Sequence, residues 1–209
     1  MELLKNLEWR YATKKFDPNK RISESDLEKI KQAISLSASS YGLQAYKVLI
    51  IEDPEIRKQL LPKSWGQSQI VDASQLIVFC NYLNVNDKVI DDYLKLKGAI
   101  QDLSSDDLKG YGDFMKSKIT KFSDEAVKSW TTKQTYIGLG NLLVACAELK
   151  IDACPMEGFE SEAYNDILDL SEKGLSAAVI ATIGYRSEED LAQHNKKVRK
   201  PINELFETI

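Results

Sequence analysis

The sequence predicts an α+β fold in a single domain that spans residues 1–209, with more helix than strand. Three short apolar runs rich in β-branched residues, at residues 48–51, 76–80 and 177–183, have the composition of buried strands. The segments around them repeat apolar residues at helical spacing, and no stretch has the composition of a disordered linker. A chain of 209 residues with 43% hydrophobic content is long enough to bury one core.

Three helices are predicted in the first third of the chain. Residues 2–9 repeat leucine at helical spacing. The helix predicted over residues 24–37 follows Ser23, which stands at capping-box spacing from Asp26. A third helix, over residues 54–61, lies between the first two strands.

The middle of the chain predicts two further helical regions. Residues 87–125 are charged and helical in pattern, which indicates a peripheral helical excursion with a break at Gly110 and Gly112. Residues 134–149 leave almost no polar face, so this helix is expected to be buried, either centrally or at a subunit interface. Its Gly-Leu-Gly at residues 138–140 lacks a third glycine and a preceding strand, and is interpreted as a site of close helix packing.

Composition excludes several classes of function. The net charge is −4, from 28 basic and 32 acidic residues, which gives no overall attraction to nucleic acid or to an anionic membrane. No apolar run approaches the roughly 18 residues needed to cross a bilayer, and the beginning of the sequence does not resemble a signal peptide. We therefore expect a soluble, cytoplasmic protein whose partners are small molecules or protein.

The cysteines and the histidine predict no metal or hydrolytic site. Cys80, Cys146 and Cys154 lie in or beside apolar runs without C-x-x-C spacing, and are interpreted as buried reduced thiols. The single histidine, His194, stands in a polar run and is expected at the surface. One histidine cannot form a paired-histidine zinc site, and a Ser-His-Asp triad would depend on this residue alone.

Two basic groups stand near opposite ends of the chain. Arg10 and Lys14 form one group, and the other lies within residues 196–200. Chain termini are often close together in a compact domain, so the two groups could clamp a phosphate, for which the planar fork of arginine is well suited. A solvated basic face remains the alternative, because spacing alone does not decide between the two.

Several motifs in one order resemble the FMN-dependent nitroreductase family, including its oxygen-insensitive NAD(P)H nitroreductases and flavin reductases. Residues 10–16 (RYATKKF) resemble its N-terminal motif, and residues 39–46 (SSYGLQAY) resemble its Ser-Ser-x-Asn-x-Gln-Pro-Trp loop. The remaining matches are Asp72-Ala73-Ser74, Gly140-Asn141, residues 155–159 (PMEGF) and residues 197–201 (KVRKP), which resemble a closing Lys-x-Arg-x-Pro. The resemblance covers essentially the whole chain.

The resemblance implies a central, mostly antiparallel sheet surrounded by helices, in an intertwined homodimer with FMN at the subunit interface. The positions that would contact the flavin are Arg10, Tyr11, Ala12, Lys14, Ser39, Ser40, Gly42, Gln69, Pro155, Met156, Glu157, Gly158, Lys197 and Arg199. No side chain is a catalytic nucleophile in this scheme, because the chemistry takes place at flavin N5.

The family match also implies roles for individual residues. Arg10, Lys197 and Arg199 would hold the FMN phosphate, and Lys14 would approach the pyrimidine edge, where a fixed cation stabilises the reduced flavin. Ser39 and Ser40 would reach the ribityl chain and ring from the partner subunit. A backbone N–H near Gly158 would bond N5, and Glu157 would order this loop or bound the nicotinamide pocket.

The sequence departs from the family pattern at several of these positions. Ala12 replaces a serine beside the phosphate, and Gly42, Ala45 and Tyr46 stand where Asn, Pro and Trp are common. Gly66 falls where relatives supply a side chain to the pyrimidine ring, which leaves Gln69 as the donor of that region. These changes put the flavin affinity in question.

A planar acceptor would stack against the flavin. The candidate pocket residues are Tyr41, Trp65, Phe114 and Met115, since aromatic and thioether groups pack well on flat ligands. Ordinary core packing of the aromatic residues is an equal alternative. The implied activity is a ping-pong transfer of electrons from NADH or NADPH to nitroaromatic, quinone or flavin acceptors. Reduction of an activated C=C or C=N bond, in an enone or a dihydropteridine, and non-catalytic FMN storage remain alternatives. No residue pattern distinguishes NADH from NADPH.

Overall fold

A four-stranded antiparallel sheet forms the centre of the computed structural model, which describes residues 1–209. The strands are β1 (Tyr46–Ile51), β2 (Gln75–Tyr82), β3 (Asp152–Met156) and β4 (Leu175–Gly184), in the order β1-β2-β4-β3. β2 and β4 are the inner pair and are buried almost throughout, which explains why their sequences read as continuous apolar runs. The α+β fold and the antiparallel sheet expected from the sequence are confirmed.

Nine α-helices surround the sheet. They are α1 (Glu2–Trp9), α2 (Glu24–Ser35), α3 (Pro54–Leu60), α4 (Gln69–Asp72), α5 (Asp87–Gln101), α6 (Ser105–Ile119), α7 (Asp124–Glu148), α8 (Ser161–Ile167) and α9 (Ile202–Leu205). The N-cap of α2 is Ser23, whose side chain accepts from the N–H of Asp26, as the capping spacing predicts.

Alternate residues of β2 enter two hydrophobic clusters, one on each face of the sheet. Leu76 and Val78 join a cluster of 16 buried residues that includes side chains from α3 and α8. Ile77 and Phe79 join a cluster of 14 buried residues that includes side chains from α2 and α7. Because strand side chains alternate between faces, one short strand supplies both layers of the core.

The prediction of a helix break at Gly110 and Gly112 is wrong. α6 runs through both glycines, and the chain instead breaks at Asp102, which has a left-handed conformation (φ 53°) between α5 and α6. Gly112 lies against α5, and a Cβ there would lie 2.6 Å from the end of the Leu94 side chain, which would have to move. A glycine that permits two helices to approach closely has the same sequence signature as a helix breaker.

One strand was not predicted. β3 includes Pro155 and Met156, which the sequence analysis placed in a loop. The strand is short and lies at the edge of the sheet, where proline is tolerated because its missing N–H interrupts no inner ladder. The loop proper begins at Glu157 and leads to α8.

α7 is the longest helix and begins ten residues before the predicted segment, at Asp124. Its inner face packs on the sheet, and Gly138 permits close contact with Phe79, as expected for a glycine at a helix-packing site. Gly140 does not have this role, because a Cβ there would meet no neighbouring atom. Its outer face leaves Ile137 and Val144 exposed, 42% and 36% respectively. The helix is therefore central within the chain and still presents apolar side chains outward.

All three cysteines are buried and free, as expected. His194 is exposed, also as expected. None of the helices has the length and apolar character that a membrane span requires.

Candidate flavin site

The two basic groups predicted from the ends of the sequence meet in the structure. Arg10, at the end of α1, lines a cleft of about 320 Å³ together with Glu8, residues 192–193 and residues 195–199; it is called the basic cleft below. Lys197 donates hydrogen bonds to the carbonyls of Leu7 (2.9 Å) and Arg10, which ties the C-terminal segment to the end of α1. Arg199 lines the same cleft.

The basic cleft concentrates positive charge without a bonded counter-charge. Desolvation and the charge of Arg199 lower the pKa of Arg10. Desolvation, followed by the charges of Arg10 and Arg199, lowers the pKa of Lys197. The Nε of Arg10 is buried and has no hydrogen-bond partner. A buried unpartnered donor among mutually repelling cations is a site that an anion would stabilise.

A buried carboxylate, Asp190, fixes the loop that follows Arg10. Its Oδ2 accepts hydrogen bonds from the Tyr11 hydroxyl (2.9 Å) and from the N–H groups of Lys14 (2.8 Å) and Lys15 (3.1 Å). Its Oδ1 accepts from the N–H of Ala192 at 3.0 Å. Asp190 is not recognisable as a site residue from the sequence, because Tyr11, Lys14 and Lys15 lie more than 170 positions earlier.

Arg186 is a second residue that sequence analysis missed. Its guanidinium pairs with Asp152 at 2.6 Å and lies 4.4 Å from the ring centre of Trp9 and 4.6 Å from that of Tyr11. Arginine stacks well on aromatic faces, so this arrangement holds the end of α1 against the end of β4.

The second corner of the candidate site is formed by residues 157–160 and the loop at residues 63–67. The N–H of Gly158 donates no hydrogen bond within the chain, while its carbonyl accepts from Gln67 Nε2 at 2.9 Å. The ring of Trp65 covers Gly158, and the Glu160 N–H donates to the Lys63 carbonyl at 2.8 Å. The two loops are thus held together around a free backbone donor.

Glu157 receives a hydrogen bond of 2.5 Å from the hydroxyl of Tyr136 on α7. Desolvation and this hydrogen bond raise the pKa of Tyr136 to about 12, so the hydroxyl stays protonated near neutral pH. This contact supports the expectation that Glu157 orders its loop. Tyr136 was not identified from the sequence as more than part of an apolar helix.

Cys154, in β3, lies near the basic residues Lys14 and Arg10. Desolvation raises the pKa of its thiol, while the charges of Lys14 and Arg10 act in the opposite direction. Gln69 is buried in the first turn of α4, and Ala12 forms a bridge to Ala153 of β3. Arg10, Ala12, Lys14 and Gln69 therefore gather at the end of one strand.

The serine loop lies in a different part of the chain. The N–H of Ser40 donates to Gln134 of α7 at 2.8 Å, and the hydroxyl of Ser39 accepts from the N–H of Gln44 at 2.9 Å. Tyr41, Gly42 and Gln44 all have positive φ angles, and such conformations cluster at ligand-binding sites. No hydrogen bond or ring contact joins this loop to the basic cleft within the chain.

The predicted pocket residues do not all face a pocket. Tyr41 packs edge-on against Phe114 (6.5 Å between ring centres) and Trp130 (6.2 Å). Trp65 is 71% exposed. The prediction for Met115 is wrong, because this side chain is fully buried in the core between the excursion helices and the rest of the domain. Helical periodicity places Phe114 outward and Met115 inward.

Comparison with known proteins agrees with this geometry. The model of the Nitroreductase family matches residues 7–185. The chain belongs to this family. A Bacillus subtilis protein provisionally named NAD(P)H nitroreductase YfkO is 36% identical over 196 residues, covering 88% of this chain and 89% of the relative. The family membership inferred from the motifs is thus confirmed.

Solved nitroreductase structures share the fold. The crystal structure of ydfN from Bacillus subtilis has a TM-score of 0.89 at 20% identity, covering 100% of this chain and 99% of that one. A structure from Exiguobacterium sibiricum in complex with FMN has a TM-score of 0.84 at 17% identity, covering 100% and 98%. The nitroreductase fold predicted from the sequence is confirmed.

The residues present fit FMN in their chemistry. The unpartnered Nε of Arg10 and the cations of the basic cleft suit its phosphate, and the free N–H of Gly158 suits a ring acceptor. Ala12 has no hydroxyl to offer the phosphate, but the arginines and Lys197 do not depend on it. Membership of the family supports an oxidoreductase that uses FMN and a nicotinamide donor.

Proposed function

We propose that this protein is an FMN-dependent NAD(P)H oxidoreductase that reduces planar, electron-poor acceptors such as nitroaromatics, quinones or flavins. The observation that carries the proposal is the basic cleft, where Arg10, Lys197 and Arg199 gather around a buried donor that has no partner. A solvated basic face would leave every donor accessible to water, whereas Arg10 Nε is not.

Arg10, Lys197 and Arg199 would bind the FMN phosphate, and Lys14, Gln69 and Gly158 would face the ring. When bound, FMN supplies two-electron transfer from the nicotinamide to the acceptor. The ammonium of Lys14 makes no hydrogen bond within the chain, so it is free to sit beside the ring edge that gains negative charge. The N–H of Gly158 would orient the ring from the opposite corner.

Tyr136 and Glu157 would shape the entrance. Their hydrogen bond holds a phenol beside the loop that carries Gly158, and Trp65 covers the same glycine. An aromatic wall and a fixed loop favour flat acceptors over bulky ones.

The active form in this proposal is a homodimer. Ile137 and Val144 form an apolar stripe on the outer face of α7, and further exposed apolar side chains follow in the C-terminal segment. A second copy would cover these surfaces and bring its Ser39 and Ser40 loop to the flavin. That arrangement accounts for the separation of the serine loop from the basic cleft within one chain.

The test is an absorbance experiment on purified protein that has been loaded with FMN and desalted. We expect a retained flavin band that bleaches on anaerobic addition of NADH or NADPH and recovers when a quinone or nitroaromatic is added. A retained band that stays oxidised with both donors would favour FMN storage without turnover. Loss of all flavin on desalting would contradict the proposal, and a parallel assay with an enone would reveal C=C reduction.

A further inference from the structure

Asp190 is a buried carboxylate that joins the two chain segments lining the basic cleft. Asp190 is 3% exposed and accepts four hydrogen bonds, of which three come from Tyr11, Lys14 and Lys15 and one from Ala192. It therefore joins the loop at residues 10–15 to the segment that leads into the basic cleft. No ion pair is formed by its carboxylate, so all of its bonding capacity serves this junction.

The loop carries two of the proposed FMN contacts, Arg10 and Lys14. Neither side chain donates a hydrogen bond inside the protein, so their charged ends are positioned only through the backbone. Asp190 binds the backbone of Lys14 directly, and its bond to the Tyr11 hydroxyl fixes the residue next to Arg10. The ring of Tyr11 is held at the same time by Arg186.

We infer that Asp190 is a positioning residue for the cofactor, which holds Arg10 and Lys14 in the binding geometry before FMN arrives. This inference rests on the proposed function. Holding a charged loop in place beforehand removes the entropy cost of ordering it on binding, and this gain appears as affinity. Asp190 itself touches neither the phosphate nor the ring in this scheme.

The test compares Asp190→Asn with Asn165→Ala in the full-length protein. In Asp190→Asn, an NH2 group replaces one carboxylate oxygen. This donor faces an N–H of the loop or of Ala192 and cannot accept its hydrogen bond. Asn165 is a matched control, because it is also buried and accepts from a backbone N–H, that of Ala177 at 2.8 Å, while it lies on α8 away from the loop. Each apoprotein is titrated with FMN by fluorescence quenching, and Tm is measured for both.

We expect D190N to weaken FMN binding about tenfold or more, as the loss of one charge-assisted hydrogen bond implies. N165A should lower Tm without changing the Kd for FMN more than about twofold. Hydrogen exchange of the Lys14 and Lys15 amides in the FMN-free protein should accelerate in D190N alone.

Equal FMN affinity in D190N and wild type, or equal weakening by N165A, would overturn the inference and leave the proposed function standing. Failure of the wild type to bind FMN would overturn both.

Discussion

The ring of Trp65 lies so close over Gly158 that a Cβ at position 158 would stand 2.8 Å and 2.9 Å from two of its ring carbons. A Cβ at that distance would force the Trp65 ring to move, so the glycine allows the ring to lie against the loop at residues 157–160. Trp65 itself has a left-handed conformation (φ 56°), which costs free energy in a non-glycine residue and which the contact helps to retain. The pair therefore defines the wall of the proposed acceptor pocket.

Gly158→Ala should alter the acceptor site more than the fold. Because Trp65 is largely exposed, we expect its ring to swing away, so that KM for a quinone acceptor rises about tenfold, in line with the loss of one aromatic contact. Steady-state kinetics measure this change. The matched control is Gly110→Ala, since a Cβ there meets nothing within 4 Å. An unchanged KM in G158A would show that Trp65 does not contact the acceptor.

Arg10 should contribute more to FMN affinity than any other member of the basic cleft. Its Nε is buried without a partner, whereas Lys197 already donates to two backbone carbonyls. We expect Arg10→Ala to raise the Kd for FMN about ten- to a hundredfold, since hydrogen bonds to charged groups are worth roughly 1.5–3 kcal/mol. Arg10→Lys should recover only part of the loss, because lysine lacks the planar fork.

Titration of each apoprotein with FMN measures these constants, and a salt series separates charge from geometry. Lys47→Ala is the control, because Lys47 is an exposed cation on β1 outside the basic cleft. If R10A binds FMN as tightly as K47A does, the phosphate does not occupy the basic cleft.

Local patterns in the sequence predicted most of the fold. The inner strands β2 and β4 are continuous apolar runs, and the start of α2 is encoded by Ser23 within three residues. β3 was missed because a five-residue edge strand that contains a proline lacks any distinctive period. The glycines of α6 misled the analysis, because the reason for Gly112 is a side chain on another helix.

The candidate site was predictable only where a motif preserves it. Arg10 and Arg199 are recognisable from sequence, and the structure brings them to one cleft. Asp190 and Arg186 act through partners that are distant along the chain, and such pairs leave no local signature. Met115 was misassigned because a thioether suits a flat ligand and a hydrophobic core equally well, and only the direction of the helical side chain decides between them.

The stability of the apoprotein should depend on the ionisation of Asp190. Desolvation alone would raise the pKa of this carboxyl, but its hydrogen bonds with Lys14, Tyr11, Lys15 and Ala192 outweigh that effect and hold the pKa below the ordinary value of 3.8. As the pH falls, the unfolded chain takes up this proton before the folded one does. The stability that the Asp190 carboxylate contributes is therefore fully present above its ordinary pKa of 3.8. It is lost as the pH falls through the lowered pKa of the folded protein.

Urea unfolding of wild type and D190N between pH 3 and 7 measures this contribution. We expect D190N to be about 1 to 3 kcal/mol less stable near neutral pH, the range for a buried group that loses hydrogen bonds. The difference between the two proteins should shrink as the pH falls below about 4. A difference that stays constant across the whole range would mean that the charge of Asp190 does not matter to its role.

The outer face of α7 should hold the homodimer together. Ile137 and Val144 are exposed on a helix whose opposite face is packed on the sheet, and burial of one such side chain is worth roughly 1.5–3 kcal/mol. Ile137→Glu would place a charge in the contact, so we expect a monomer in light scattering where wild type is a dimer. Leu96→Glu, on the exposed side of α5, is the control and should leave the dimer intact.

Because the Ser39 and Ser40 loop would come from the partner, the I137E monomer should also retain less FMN on desalting. A dimeric I137E would show that this face of α7 does not hold the dimer together. A monomeric wild type that retains FMN would place the flavin site within a single chain.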